Sequence, residues 1–242
     1  MNYGLILAGG VGQRMRNSGM PKQFLEVFQK PIIIYTLEKF EKCTDIDRTV
    51  VVCNASWTEY MEGLLRKYQL TKVIAVVPGG KDRQSSIRSG IRSIRKDGAA
   101  ETDIVVVHDG VRPLVECAII SENVRVAQQY GCAMTVKPAI ESVCICENDE
   151  AEFDNFKKRD NTYRLTAPQT FRLGILTDTL QKTSDITEPI PILDPAMGYA
   201  YLGNPVHLVK ENNNNIKITT PEDYYILKAM LELEENRYVF GL

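Results

Sequence analysis

The hydrophobic residues of the chain follow two alternating patterns. Apolar runs of strand length occur at residues 3–8, 49–53, 73–77, 104–108 and 133–136. The segments between them carry apolar residues at i, i+3 and i+4 with charged residues opposite, as amphipathic helices do, at 32–40, 58–68, 84–94 and 119–129. Continuously apolar strands that alternate with helices are buried on both faces. The pattern predicts an α/β fold with a Rossmann-like, mostly parallel sheet flanked by helices, and such sheets bind ligands beyond the carboxyl ends of their strands.

The pattern changes at residues 138–166. Polar and apolar residues alternate there on both sides of a charged tip, which is typical of a β-hairpin. We interpret 138–166 as a projecting β-arm inserted in a single domain that spans residues 1–242. A surface hairpin and an arm that pairs with a second subunit fit the composition equally well. After the arm we expect a helix near 173–182, strands near 206–209 and 216–218, and a final helix that begins after Thr220.

Composition excludes several classes of partner. The 242 residues carry a formal net charge of −2, so no general positive field attracts nucleic acid or an anionic membrane. No apolar run approaches the roughly 20 residues that span a bilayer, and no basic leader precedes the first apolar stretch. We therefore expect a cytoplasmic protein with no nucleic-acid or membrane partner. The six cysteines show no zinc-type spacing, and we expect buried, reduced thiols, with Cys144 and Cys146 on one side of a strand.

The first predicted strand ends in a glycine-rich loop flanked by cations. Residues 7–15 read LAGGVGQRM, and Lys22 follows shortly afterwards. Glycines let the backbone turn sharply and bring N–H groups close to an anion, and Arg14 and Lys22 are suited to neutralise a triphosphate. The dinucleotide fingerprint would need a glycine at Met15, and the Walker A pattern is also absent. For the glycines alone, a phosphate-binding loop and a structural turn are equally good interpretations.

Five separated segments resemble the cytidylyltransferases of 2-C-methyl-D-erythritol 4-phosphate and ribitol 5-phosphate. In the order of that family they are LAGGVGQRM with PKQFL (7–25), GGKDRQSS (79–86), VHDGVRP (107–113), APQTF (167–171), and NIKIT with PED (215–223). The resemblance covers nearly the whole chain. It implies a CTP-dependent nucleotidyltransferase that joins CMP to a polyol phosphate, releases pyrophosphate, and uses Mg²⁺ held mainly by the CTP phosphates.

The same resemblance implies a role for each matched residue. Three cations would surround the α-phosphate and stabilise the transition state without a protein nucleophile: Arg14, Lys22 and Lys217. Backbone and polar groups at strand ends would hold cytosine and ribose: Ala8, Gly9, Gly10, Gly12, Gly80, Asp82 and Ser86. The polyol phosphate would be bound by two residues of the domain and two of the arm, which in the family reaches the active site of a dimer partner: Asp109, Arg112, Ser142 and Arg159.

Each of these roles has a structural alternative. Asp109 is also suited to a plain ion pair with Arg112, although a carboxylate that accepts two hydrogen bonds binds polyols well and allows a water-mediated link to Mg²⁺. Lys22 and Arg159 are also consistent with solvated surface cations. We expect His108 to be a structural histidine, because its neighbour Asp109 points to the opposite side of the strand.

The departures from the family concentrate on the acceptor side. Family members usually carry Asp-Thr where this chain has Glu141-Ser142, and Thr-Asp-Asp/Glu-Ala where residues 193–196 read LDPA. The LAGG and KQFL segments resemble the ribitol 5-phosphate branch more closely. We therefore expect a CDP-polyol product, for a cell-wall or capsular polymer, with methylerythritol phosphate cytidylyl transfer in isoprenoid synthesis as the alternative. A dinucleotide oxidoreductase is a further alternative, but this chain has no acidic residue at the position where such enzymes bind the ribose. The presence of Arg14, Lys22 and Lys217 argues against a catalytically silent nucleotide-binding module.

Overall fold

The structure, a computed structural model, describes residues 1–10, 19–146, 149–186, 192–212 and 214–240, with backbone only for 237–240. Within these ranges the strands are β1 (Asn2–Ala8), β2 (Glu26–Val27), β3 (Lys30–Pro31), β4 (Arg48–Cys53), β5 (Val73–Pro78), β6 (Ile104–Asp109), β7 (Cys132–Pro138), β8 (Val143–Cys144), β9 (Phe156–Lys157), β10 (Tyr163–Arg172) and β11 (His207–Lys210). The α-helices of the same ranges are α1 (Ile32–Lys42), α2 (Thr58–Lys67), α3 (Arg83–Lys96), α4 (Cys117–Tyr130), α5 (Leu173–Lys182), α6 (Pro195–Tyr201) and α7 (Pro221–Phe240).

Seven of the described strands form one sheet in the order β11-β7-β10-β6-β1-β4-β5. All adjacent pairs are parallel except those of β10, which runs antiparallel between β6 and β7. The predicted mostly parallel α/β sheet is confirmed. From β1 the sheet continues to β4 on one side and to β6 on the other, so the strand order reverses there. Ligands bind beyond the carboxyl ends of the strands at such a point.

Helices cover both faces of the sheet, which explains the continuous apolar strands. Leu5 and Ile6 are adjacent in β1, point to opposite faces, and are both fully buried. The face of Ile6 packs against α1, α2 and α4, and the face of Leu5 packs against α3, α5 and α6. Gly90 allows α3 to approach the sheet, since a Cβ there would lie 2.2 Å from Leu5 Cδ1. No helix in the described ranges is sufficiently long and apolar to traverse a bilayer.

Two expected strands differ from the prediction. The run at 73–77 forms β5, but it is the edge strand of the sheet and its Ile74 is 38% exposed, so burial on both faces was wrong there. Residues 216–218 form no strand and lie outside the described sheet. Ile218 donates its N–H to Val111 O (2.9 Å), which ties this segment to the loop after β6 without a strand ladder.

The arm contains the expected hairpin. Strands β8 and β9 pair antiparallel, with Val143 opposite Lys157, and two short 3-10 turns, Phe153–Asn155 and Arg159–Asn161, complete the arm. At its root, β7 and β10 pair with Pro138 opposite Tyr163. Burial of the thiols was wrong for two cysteines, because Cys144 and Cys146 lie on this exposed hairpin. Only the first of them belongs to β8.

Candidate active site

The carboxyl ends of β1, β5 and β6 border one cavity of about 380 Å³. Many of the residues that the sequence assigned to substrate binding or catalysis line it: Ala8, Gly9, Gly10, Lys22, Gly80, Asp82, Ser86, Asp109 and Lys217. Gly12 and Arg14 lie outside the described residues. Lys22 and Lys217, distant in sequence, therefore face the same cavity, as the resemblance implied.

The loop before α3 is held in place by hydrogen bonds among its own residues. Asp82 is the N-cap of α3: its carboxylate accepts the Ser85 N–H (2.7 Å), and the Ser85 hydroxyl accepts the N–H of Asp82 (3.0 Å). The hydrogen bonds from the Ser85 backbone and side chain lower the pKa of Asp82. Ser86 Oγ accepts the Gly80 N–H (3.1 Å) and donates to Asp82 O (2.8 Å). The loop is thus fixed by its own hydrogen bonds, which preorganises this wall of the cavity.

Only glycine fits at position 80. A Cβ there would lie 2.3 Å from Ser85 Oγ and 3.0 Å from the Ser85 carbonyl carbon, which is too close for any side chain. Gly80 is therefore required by the capped loop itself, in addition to any ligand that approaches it.

The glycine-rich loop after β1 is held by a buried glutamine. Gln23 is 1% exposed, and its Nε2 donates to Ala8 O (2.6 Å) and to Gly10 O (3.2 Å). It belongs to a short 3-10 turn, Lys22–Phe24, so the same turn that anchors the loop also carries Lys22 to the cavity. The sequence contained Gln23 within a matched segment but gave it no role.

Asp109, the last residue of β6, is surrounded by three cations. Its Oδ1 lies 2.6 Å from Arg83 Nη1, and its Oδ2 lies 3.1 Å from Lys217 Nζ and 3.2 Å from Arg112 Nε. Burial alone would raise the pKa of this carboxyl, but the charges of Arg83, Lys217 and Arg112 hold the pKa well below its usual range. Asp109 is thus ionised and oriented, and it lines the cavity although it is only 5% exposed. The ion pair with Arg112 that the sequence left open does exist.

Arg83 is a cation of the site that sequence reasoning missed. It lines the cavity and is the first residue of α3. A cation is unfavourable at a helix N-terminus because of the helix dipole. Its position directly after an N-cap residue, where acidic residues are preferred, was the signal that could have identified it.

The remaining predicted residues lie away from the cavity. Among the described residues that line it, Arg112, Ser142 and Arg159 are absent. The Arg112 side chain is 11% exposed, pairs with Asp109 through Nε (3.2 Å) and donates from Nη1 to Asn215 O (3.0 Å). Ser142 and Arg159 are exposed on the arm.

His108 is structural, as expected. It is fully buried in β6, its Nε2 lies 3.2 Å from Arg112 O, and burial lowers its pKa to about 4.

Comparison with known proteins gives a consistent result. The family model described as 2-C-methyl-D-erythritol 4-phosphate cytidylyltransferase (IspD) matches residues 3–233. The ribitol-5-phosphate cytidylyltransferase of Vibrio parahaemolyticus is 42% identical over 243 residues, and that of Streptococcus agalactiae serotype Ia is 39% identical over 246, each comparison covering 100% of both chains. Among solved structures, 4-diphosphocytidyl-2C-methyl-D-erythritol synthase from Anaerococcus prevotii has a TM-score of 0.80 at 23% identity, covering 95% of both chains. The Francisella tularensis 2-C-methyl-D-erythritol 4-phosphate cytidylyltransferase has a TM-score of 0.74 at 25% identity, covering 94% of this chain and 100% of that one.

Proposed function

Because this chain belongs to the 2-C-methyl-D-erythritol 4-phosphate cytidylyltransferase family, we propose that it transfers CMP from CTP to ribitol 5-phosphate and releases pyrophosphate. The observation that carries this proposal is the cavity at the strand ends, where Lys22 and Lys217 face the same space as the capped loop of Gly80, Asp82 and Ser86. Ribitol 5-phosphate is preferred as acceptor because relatives with that name are 37–42% identical over nearly the whole chain.

Methylerythritol phosphate is the second candidate acceptor. The matching family model and the similar solved structures carry that name, but those structures are only 22–25% identical to this chain. The CDP-polyol made from ribitol 5-phosphate would supply a polyol phosphate unit to a cell-wall or capsular polymer.

The reaction needs positive charge more than it needs a protein nucleophile. An oxygen of the acceptor phosphate attacks the α-phosphorus of CTP, and the bond from that phosphorus to the bridging oxygen breaks as pyrophosphate leaves. Two polyanions meet in this step, and negative charge accumulates on the α-phosphate oxygens. Lys22 and Lys217 would stabilise that charge from the described part of the site, and Arg14 would join them from the glycine-rich loop. Holding both substrates in line supplies much of the remaining acceleration.

The nucleoside would lie against the strand ends. The loop of Ala8, Gly9, Gly10 and Gly12 would approach the nucleotide without hindrance from side chains. Gly80, Asp82 and Ser86 form the opposite wall of the same cavity, at the N-terminus of α3. Backbone groups at these positions are suited to reading the edge of cytosine, and the Asp82 carboxylate is ionised for contact with a sugar hydroxyl or an exocyclic amine.

Mg²⁺ would be held mainly by the triphosphate. Asp109 has three cations within 3.2 Å, so its oxygens are poorly suited to bind a divalent ion directly, and a water-mediated link is the closest approach that this surrounding favours. Bound to CTP, the ion would neutralise phosphate charge and polarise the α-phosphate. The side chains of the site include lysine and arginine, which do not bind cations, so Mg²⁺ would enter the site already bound to CTP.

The acceptor would be bound by Asp109 and by the arm of a second copy. Asp109 would accept hydrogen bonds from the polyol hydroxyls, and Arg112 would keep that carboxylate oriented. Ser142 and Arg159 are exposed on the arm and do not line the described part of their own cavity, which supports delivery to a partner's site in a homodimer. Phe153 of the arm is 90% exposed and Ile145 is 63% exposed, as expected of a surface that pairs.

A cytoplasmic location completes the proposal. The six cysteines are all free thiols, as is usual in a reducing compartment.

A pyrophosphate-release assay with CTP, Mg²⁺ and a panel of polyol phosphates tests the function. We expect turnover with ribitol 5-phosphate and little with methylerythritol phosphate. The reverse preference would favour the second candidate, and no release with any acceptor would refute cytidylyl transfer. Replacing CTP with ATP, GTP or UTP is the matched control for nucleotide choice, and EDTA tests the metal requirement.

A further inference from the structure

A buried polar cluster lies behind the active site and connects the Lys217 segment with the root of the arm. Its centre is Glu211, which is 7% exposed and directly follows β11. Glu211 Oε1 accepts a hydrogen bond from Thr166 Oγ1 (2.7 Å), and its Oε2 accepts one from Asn215 Nδ2 (2.9 Å). Both carboxylate oxygens are therefore used, although Glu211 does not line the described cavity.

Asn215 holds the backbone that precedes Lys217. The asparagine is 2% exposed, and its Nδ2 also donates to Ala167 O (2.7 Å). Its carbonyl oxygen accepts from two cations, Arg112 Nη1 (3.0 Å) and Lys137 Nζ (2.9 Å). Lys217 lies only two residues further along the chain, so these contacts of Asn215 restrict where its Cα can lie.

Arg112 connects the cluster with Asp109, which lines the cavity. That guanidinium donates from Nη1 to Asn215 O and from Nε to Asp109 Oδ2 (3.2 Å). Asp109 in turn binds Lys217 Nζ (3.1 Å). Lys217 is thus held at both ends, at its backbone by Asn215 and at its ammonium by Asp109.

The cluster also includes the strands on both sides of the arm. Residues 163–166, expected to belong to the arm, form the start of β10, so Thr166 follows the point where the chain re-enters the sheet and Lys137 precedes the point where it leaves. Thr166 binds Glu211, and Lys137 binds the carbonyl oxygen of Asn215. A shift of the 211–215 backbone would therefore displace the arm root and the Lys217 segment together.

We propose that Glu211 and Asn215 are positioning residues that hold Lys217 and the root of the acceptor-binding arm in one fixed arrangement. This assignment rests on the proposed cytidylyl transfer, in which Lys217 contacts the α-phosphate and the arm contacts the acceptor. Glu211 acts by geometry: an amide in its place still accepts from Asn215 through its oxygen. The amide nitrogen then donates to Thr166 Oγ1, whose own hydrogen turns to Thr135 O, 3.1 Å away.

Three variants and a control test this inference. Glu211→Ala should lower kcat by about 10- to 100-fold and raise the acceptor KM, because reacting groups displaced by about 1 Å lose that much rate. Its CTP dissociation constant, measured by calorimetry, should stay within about twofold of wild type, since the nucleotide loops are built elsewhere. Glu211→Gln should restore both kinetic constants to within about threefold, because it keeps the hydrogen bonds. Thr166→Val removes the hydroxyl that bonds Glu211 and Thr135 O at the root of the arm but leaves the Glu211–Asn215 bond, so it should raise the acceptor KM and leave kcat nearly unchanged.

Glu122→Ala is the matched control, because Glu122 lies on the surface of α4 with its partner Arg125 on the same helix. It should leave all constants unchanged. A folded Glu211→Ala enzyme with wild-type kcat and acceptor KM would overturn the inference, as would an equal loss of CTP affinity or a Glu211→Gln enzyme as defective as Glu211→Ala. If Glu211→Ala does not fold, Thr166→Val decides, and an unchanged acceptor KM refutes the link to the arm.

Hydrogen exchange separates this inference from the proposed function. If wild type has no activity with any acceptor, the proposed function has failed. The positioning role of Glu211 and Asn215 can still be measured. The amides of Ile216 and Ile218, which donate to Asn214 O and Val111 O, should exchange faster in Glu211→Ala than in wild type. Equal exchange rates would overturn the positioning role.

Discussion

Replacing Asp109 with asparagine should destabilise the protein through the cations that it leaves behind. Arg112, only 11% exposed, would lose its charged partner in a site where breaking a buried pair costs about 3–5 kcal/mol. Arg83 and Lys217, 29% and 41% exposed, are screened by water, so each adds at most about 1 kcal/mol. The asparagine oxygen still accepts one hydrogen bond, which returns about 1 kcal/mol. Counting the Arg112 pair alone, because the small effects of the two screened cations are not additive with it, we expect a net loss of about 2–4 kcal/mol.

Urea denaturation of the nucleotide-free protein measures this loss, and a thermal melt should show a fall of about 5–15 °C. Asp178→Asn is the matched control, because Asp178 and its partner Lys182 are 57% and 59% exposed on the surface of α5. The control should change stability by less than about 0.5 kcal/mol. An Asp109→Asn protein as stable as the control would refute the view that Asp109 compensates buried positive charge.

The pH dependence of the same difference follows from the sign of the pKa shift. The folded pKa of Asp109 is depressed by its cations, so its contribution is fully present above the unfolded value of about 3.9. The contribution is lost as the pH falls through the lower, folded value. The stability gap between wild type and Asp109→Asn should therefore stay constant from neutral pH to about pH 5 and shrink in stronger acid. A gap that widens in acid would contradict this assignment.

The other predictions concern catalysis and are measured by steady-state pyrophosphate release. Lys22→Ala should lower kcat by about 10²-fold or more with the fold intact, because it removes a fixed charge that stabilises the transition state; near-normal turnover would exclude that role. Arg159→Ala should raise the acceptor KM and leave CTP binding unchanged, since the arginine is expected to bind only the acceptor phosphate. At an acceptor concentration far below the raised KM, where both variants turn over slowly, an equal mixture after subunit exchange should be more active than either variant alone, because one site of the mixed dimer would have both residues intact; no recovery would place the arm in its own subunit's site. Ser86→Ala should raise the KM for CTP several-fold, because the loop at Gly80 loses its internal hydrogen bonds; an unchanged KM would show that the loop is held by Asp82 alone.

Most of the fold could be predicted because each strand and helix depends mainly on the pattern of its own residues. A strand buried on both faces is apolar throughout, and a helix against a sheet has an apolar stripe, so each element is visible in its own residues. What covers a strand is not local, and this is why the exposure of Ile74 was missed. The direction and place of β10, between β6 and β7, likewise depend on long-range pairing. Residues 216–218 have the composition of a strand but find no neighbouring strand in the described sheet.

The site was predictable where the chemistry itself selects the residue type. Gly80 and Lys22 were expected in the site from their residue types, glycine for close backbone approach and lysine for charge, and both line the cavity. Gln23, Arg83 and Asn215 act through contacts with groups far away in the chain, such as Asp109 for Arg83, and no short motif shows those partners. Sequence reasoning gave them no role for this reason. The roles of Ser142 and Arg159 stay predictions, because they require a second copy of the chain.

The closed root of the arm has a consequence for how acceptor preference can change. The chain leaves the sheet at Pro138 and re-enters it directly opposite, at Tyr163, and the Ala139 N–H donates to Thr162 O (2.9 Å) across the gap. An insertion whose two ends already meet can be lengthened, shortened or exchanged without altering the strands that carry the nucleotide loops. Chimeras that graft the arm of a relative onto this sheet should therefore fold, and under the proposed role of the arm they should change acceptor preference while the CTP-binding loops stay the same.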